Sequence, residues 1–352
     1  MSAIEPAPQK RPLKGLTLEQ MRDLMRDLGE KPFRGEQLFR WIYREDAASF
    51  EEMTNVSKSF RRDLESEFEL PRAEVVKQQE SVDGTKKILL QFPDGARVES
   101  VLIPEPKRLT ICISTQVGCS LTCTFCRTGT MKLERNLAAW EIVEEVQAMQ
   151  RTYPDRPITN VVFMGMGEPM MNYDNTLQAT RILTEDLGQN FSTRRVTVST
   201  SGIIPEMTRF GQQSECSLAV SLHATDEATR SRLMPINKKY SLAELLRTCG
   251  KYPLPNRKRI TFQYILIDGV NDSLADAKRL RGLVGSLKSQ VNLIQFNPYA
   301  ESDFRPTPEE RIREFQKVLL DGKIPTILRK HRGRDILAAC GQLKDIESHT
   351  GV

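Results

Sequence analysis

Hydrophobic and polar positions alternate along this chain with two periods. Thr17 and Gln20 form a capping box, and Leu18, Met21, Leu24, Met25 and Leu28 follow at helical spacing until Gly29. A second helix is predicted from Arg34 to Arg44, with Leu38, Trp41 and Ile42 on its apolar side. A third carries Phe60, Leu64 and Phe68 at four-residue intervals and ends before Pro71. An aromatic stripe of this kind belongs to a core more often than to a nucleic-acid platform. Residues 15–71 therefore read as a small helical domain, preceded by a proline- and charge-rich disordered tail over 1–14.

The period then changes. Lys86 to Phe92 and Arg97 to Ile103 read as two strands joined by the turn Pro93-Asp94-Gly95, a hairpin extension within residues 72–104. Glu99 sits among apolar neighbours in the second strand; by itself it reads as a carboxylate on a solvated face. From Leu109 strands and helices alternate: Leu109–Thr115, Ile158–Met164, Arg195–Ser201, Leu218–Leu222, Arg259–Ile267 and Val291–Asn297, with helices at Ala138–Gln150, Thr176–Leu187 and Asp276–Leu287 between them. Six such strands predict an α/β fold with a parallel sheet, curved into a partial barrel, over residues 105–352.

The chain has 352 residues, 39% hydrophobic and 28% charged, as an ordinary globular protein does. Its net charge of +5 suits an anionic partner such as RNA without requiring one. No apolar run approaches the roughly 20 residues of a membrane span, and the N-terminus lacks the apolar centre of a signal peptide. Seven cysteines without secretion signals predict a cytoplasmic location, where thiols serve metals or redox chemistry.

The chemistry concentrates in Cys119-Ser120-Leu121-Thr122-Cys123-Thr124-Phe125-Cys126. Three crowded thiols fit neither a disulfide framework nor a tetrahedral zinc site of two separated pairs. Thiolates hold iron–sulfur cubanes one per iron, so three would leave one iron with an open position. In parallel α/β folds ligands bind where strands end, and Gly165-Met166-Gly167-Glu168-Pro169, Ser199, Ser221-Leu222-His223 and Asn297 all fall at predicted strand ends.

Cys-x3-Cys-x2-Cys with an aromatic before the last cysteine resembles the signature of the radical S-adenosylmethionine (SAM) enzymes, whose partial (βα)6 barrel agrees with the strand pattern. The series Phe163-Met164-Gly165-Met166-Gly167-Glu168-Pro169, Val196-Thr197-Val198-Ser199-Thr200-Ser201-Gly202, Ser221-Leu222-His223-Ala224, Leu233-Met234-Pro235-Ile236-Asn237, Phe296-Asn297-Pro298-Tyr299 and Ala338-Ala339-Cys340-Gly341-Gln342-Leu343 narrows the match. In this order it resembles the RlmN/Cfr family of RNA adenine methyltransferases, over roughly residues 16 to 345. Arg127 and His331 stand where smaller residues are expected.

The resemblance implies one [4Fe-4S] cluster on Cys119, Cys123 and Cys126, and two SAM molecules per turnover. It places SAM on Gly167, Glu168, Ser199, Ser221, Leu222, His223 and Asn297. It makes Cys340 the methyl carrier, Cys112 the thiol that resolves it as a disulfide, and Glu99 the proton acceptor. Without it, Cys112 and Cys340 read equally well as core thiols, as Cys216 and Cys249 do. The implied substrates are 23S rRNA and tRNA (adenine 37), methylated at adenine C2, with C8 or a non-RNA substrate as alternatives. A low-potential electron donor such as flavodoxin and a monomeric state are expected. The small helical domain is expected to help hold RNA, and Arg329, Lys330, Arg332 and Arg334 are expected either to contact RNA phosphates or to form a solvated loop.

Overall fold

The computed structural model describes residues 10–255 and 258–344. Ten strands lie side by side in chain order: β1 (Glu74–Glu80), β2 (Lys86–Gln91), β3 (Arg97–Glu105), β4 (Arg108–Ile113), β5 (Asn160–Phe163), β6 (Val196–Thr200), β7 (Ser217–Ser221), β8 (Ile260–Leu266), β9 (Ser289–Gln295) and β10 (Thr326–Leu328). The first four form an antiparallel meander, tight because hairpin turns suffice. From β4 onward every pairing is parallel, and each crossover places the next strand on the same side of the last. The six predicted parallel strands are present within a residue or two of their expected bounds, and β10 adds a seventh.

Alternate residues of these strands face opposite ways. Val161, Phe163, Val196, Val198, Val220, Phe262, Val291 and Leu293 are fully buried in the apolar core. Thr197, Ser217, Thr261, Gln290 and Asn292 instead line a cavity of about 690 Å³, so the concave side of the sheet is polar. No helix among the described residues is long and apolar enough to cross a membrane.

The N-terminal helices are α1 (Leu18–Asp27), α2 (Phe33–Tyr43) and α3 (Lys58–Glu67). The capping box forms as predicted, with Gln20 N donating to Thr17 Oγ1 at 3.3 Å and Thr17 N to Gln20 Oε1 at 2.9 Å. Phe60, Leu64 and Phe68 are all buried, so the stripe is core. Of the tail expected over 1–14, residues 1–9 lie outside the described residues, and residues 10–14 depart from the expectation. Arg11 and Pro12 pair in parallel with Phe68 and Glu69, Leu13 is buried, and Lys14 Nζ meets Glu144 at 2.7 Å. Backbone pairing, one buried apolar side chain and one buried ion pair hold this stretch.

Candidate active site

The cysteine loop leaves β4 at Ser114 and enters α4 (Ala139–Thr152). Its two ends are drawn together by Asn172, whose Nδ2 donates to Thr115 O at 2.8 Å and Leu137 O at 2.7 Å. The buried Glu145 carboxylate accepts from Ser114 N at 2.9 Å and from Ser100 Oγ at 2.6 Å, fastening β4 to β3. Gly129 packs against the loop so closely that a Cβ would stand 2.8 Å from Cys123 O. Cys119, Cys123 and Cys126 border one cavity of about 160 Å³. Burial raises all three thiol pKa values, that of Cys119 to about 12. They are therefore protonated at neutral pH, and a metal would displace those protons.

The opposite wall of this cavity comes from the strand ends. Gly167, at φ 94°, brings the turn after β5 against Gln116, where a Cβ would meet Gln116 Cβ at 2.5 Å. Glu168 is buried and accepts from Met170 N at 3.1 Å and Ser201 N at 2.7 Å. Burial raises its pKa, against hydrogen bonds from the Ser201 and Met170 backbone and the Thr200 and Ser201 side chains that favour the carboxylate. Ser199, Ser221 and His223 line the same cavity. Leu222 does not; its side chain is buried in the core, leaving only its backbone near the site.

Two residues not expected from the sequence complete this region. Arg230, 1% exposed, donates to Leu222 O (3.2 Å), Ser221 O (3.2 Å), Ser201 O (2.9 Å) and Asn237 Oδ1 (2.7 Å). One guanidinium thus ties the ends of β6 and β7 to the Leu233–Asn237 motif. Gln263 on β8 also borders the cavity, buried, with both amide atoms unpartnered.

Beside the first cavity is a second, of about 80 Å³, bordered by Cys112 and Cys340. The two cavities share Cys126, Met164, Gly165, Ile294, Arg329, Cys340 and Gly341 as a common wall. Cys340 is exposed, whereas Cys112 is buried, and burial pushes its pKa well above the ordinary thiol range. The Cys340 segment is held by Asn297 Nδ2 to Cys340 O (3.1 Å), Arg127 N to Gly341 O (2.7 Å) and Thr128 Oγ1 to Leu343 O (2.6 Å). Asn297 thus borders the thiol pocket, not the cysteine-loop cavity. Glu99 borders neither. It is 6% exposed, not on a solvated face, and meets Lys87 Nζ at 2.8 Å and Lys344 N at 2.9 Å. Cys216 and Cys249 are buried in the core.

The residues present fit an iron–sulfur cluster and SAM. Among the described residues no three His, Cys, Asp or Glu converge on a single ion. A cubane does not ask for that, since each thiolate binds a different iron. Three thiols around one cavity, a buried carboxylate opposite and the orphaned Gln263 amide supply ligands for the cluster and polar partners for a ligand beside it.

Comparison with known proteins agrees. Residues 12–70 match the ribosomal RNA large subunit methyltransferase N-terminal domain, and residues 113–280 the radical SAM superfamily. The chain is 48% identical to a dual-specificity RNA methyltransferase RlmN of Geobacter sulfurreducens, covering 94% of this chain and 91% of that one. It is also 48% identical to the RlmN of Geotalea uraniireducens, over 96% and 97%. The crystal structure of a radical SAM methyltransferase from Sphaerobacter thermophilus superposes with a TM-score of 0.89 at 43% identity, covering 95% of this chain and 99% of that one. With identity of this order along nearly its whole length, this chain belongs to the RlmN family of the radical SAM superfamily.

Proposed function

We propose that the protein is a radical SAM RNA methyltransferase that methylates C2 of adenine in 23S rRNA and in tRNA. One observation carries the residue-level reading: the exposed Cys340 and the buried Cys112 border one pocket, and that pocket shares a wall with the three-cysteine cavity. The amidine carbon C2 is electron-poor and has no lone pair with which to attack a sulfonium methyl, so the methyl must arrive as a carbon radical. Bound cluster and SAM supply a transferable methyl group and a hydrogen-abstracting 5′-deoxyadenosyl radical.

The chain's own residues do the rest. Cys119, Cys123 and Cys126 hold the cluster. Glu168, Ser199, Ser221, His223 and Asn297, with the backbone of Gly167 and Leu222, hold SAM. Cys340 is the thiolate that carries the methyl group, which its exposure permits. The methylene carbon on Cys340 bonds to C2 of an adenine splayed out of its stack. Glu99 takes the C2 proton, and Lys344 N must leave the carboxylate for the base to reach it. The odd electron left by the addition would be taken up by the bound cluster. Cys112 then attacks the Cys340 sulfur; the S–S bond forms as the product's C–S bond breaks, and the proton given up by the Cys112 thiol balances the one the departing carbon takes to become the methyl group. The helical segment over 15–71 is proposed to help hold RNA, and a low-potential donor such as flavodoxin to supply electrons. A cytoplasmic monomer belongs to the same proposal.

The test is nucleoside mass spectrometry of rRNA and tRNA from cells lacking the gene and then complemented. Loss and return of 2-methyladenosine is expected. Unchanged 2-methyladenosine, or loss of 8-methyladenosine in its place, would overturn the assignment. Complementation with Cys340→Ala should fail; full restoration would remove the carrier role.

A further inference from the structure

Resting on the proposed reaction, we infer that Gln263 recognises an adenine ring in the cysteine-loop cavity through both atoms of its side-chain amide. Gln263 is 4% exposed, and neither Oε1 nor Nε2 has a hydrogen-bond partner. No other buried side-chain amide among the described residues is left with both atoms unpartnered. Its backbone, by contrast, is engaged: Leu222 N and His223 N donate to Gln263 O at 3.0 and 3.4 Å. The strand thus fixes the residue beneath the Ser221–His223 turn and leaves the amide to something else. Buried polar groups without partners are costly, so a pair retained in a binding cavity points to a ligand.

The surroundings limit which ligand. Met164, Ile265 and Ile294 line the same cavity and offer apolar surface to the faces of a flat ring. The amide offers one acceptor and one donor side by side. An adenine edge presents the complement, with its 6-amino hydrogen for Oε1 and a ring nitrogen for Nε2, the same pairing by which Gln reads adenine in nucleic acids. Both SAM and the RNA substrate carry that base. Gln263 also borders the polar cavity on the concave side of the sheet, from which water could reach the amide.

Equilibrium dialysis of the anaerobically reconstituted protein separates these cases. The probes are SAM and S-inosylmethionine, in which oxygen replaces the 6-amino group. Wild type is expected to prefer SAM, and Gln263→Leu to bind SAM about ten- to hundredfold more weakly with that preference abolished. Gln263→Glu keeps the volume, lacks the donor, and should show a smaller loss of the same kind; cluster absorbance reports that each variant is folded and loaded. If SAM binding is unchanged but the variant no longer distinguishes an RNA hairpin bearing target adenine from one bearing purine, the adenine is the RNA's. If both preferences survive in Gln263→Leu, water satisfies the amide and the inference falls. If wild type yields no 2-methyladenosine while Gln263 still governs the SAM preference, it is the proposed reaction that falls instead.

Discussion

His223 holds a left-handed backbone conformation, φ 57°, at the end of β7, and its Nδ1 accepts from Ile265 N at 3.0 Å. A backbone N–H can only donate, so Nδ1 is unprotonated and the neutral ring carries its hydrogen on Nε2. Burial, aided by the Arg230 charge, lowers its pKa to about 3. In the unfolded chain the ring titrates near the ordinary 6.5. Between those values the unfolded state binds a proton that the folded state refuses, so this contribution to stability shrinks as pH falls from 6.5 toward 3. The limit is about 1.4 kcal/mol per pH unit, or about 2 kcal/mol between pH 6.5 and 5. His223→Asn, which tolerates the left-handed backbone, should reduce the acid sensitivity by that order in urea unfolding at pH 7 and pH 5. Equal acid losses in both proteins would show that His223 does not titrate on unfolding. Cys112 offers a chemical test on the same scale. With Cys112→Ala nothing can attack the Cys340 sulfur, so RNA should stay covalently attached at Cys340, seen as a mobility shift on denaturing gels. Free methylated product at wild-type yield would remove Cys112 from the reaction.

At the scale of elements, the basic segment after β10 divides in two. Arg334 Nε donates to Asn297 Oδ1 at 2.9 Å and its Nη2 to Gln295 Oε1 at 3.1 Å, while Arg332 reaches the turn after β1 through Asp83 O at 3.4 Å. These two are framework contacts, whereas Lys330 is exposed at the thiol pocket. Lys330→Glu should therefore weaken RNA binding and lower the slope of log affinity against log salt by about one, and Arg334→Glu should lower the melting temperature. An unchanged salt slope for Lys330→Glu would take that side chain away from phosphate. Arg230 acts similarly at the strand ends. Arg230→Met leaves three carbonyls and Asn237 without their donor, and a loss of about 3 kcal/mol is expected in denaturant unfolding. A loss under about 1 kcal/mol would mean that water replaces the guanidinium. The strands were legible because their β-branched runs are bounded by turn residues, and α1 because its cap is encoded locally. β1 was not, since it is mostly polar, nor β10, which spans three residues. Cys112 and Cys340 could be paired only through the family's pattern, because no local period connects distant positions. Arg230 and Gln263 gave no signal: an arginine in a short helix and an amide in a strand look solvent-facing until the surrounding sheet is built.

At the scale of the whole molecule, the helical segment and the barrel share buried charge. Lys14 Nζ meets Glu144 at 2.7 Å, Arg151 Nη2 meets the same carboxylate at 2.5 Å, and Arg151 Nη1 meets Asp46 at 2.8 Å. Lys14 and Glu144 are both buried, and desolvation lowers the Lys14 pKa despite its partner. Separating the helices from α4 would break the buried Lys14–Glu144 pair and the half-buried Arg151–Asp46 pair together, so the two parts should unfold together. The chain carries its own reporters: its two tryptophans are Trp41 in α2 and Trp140 in α4. Trp140→Phe isolates the fluorescence of the helical segment, and Trp41→Phe that of the barrel. In guanidinium the two variants, corrected for their own stability by circular dichroism, should give coincident transitions. In the Lys14→Met background both midpoints should fall together, by about 3 kcal/mol equivalent. Two separated transitions in the unmodified background would show that the interface does not couple them. The coupling bears on the chemistry because Glu144 lies next to Glu145, whose carboxylate fastens Ser100 and Ser114. Ser100 follows Glu99 in β3 and Ser114 lies two residues after Cys112, so the α4 carboxylate beside Glu144 anchors the strands that carry the proposed base and resolving thiol.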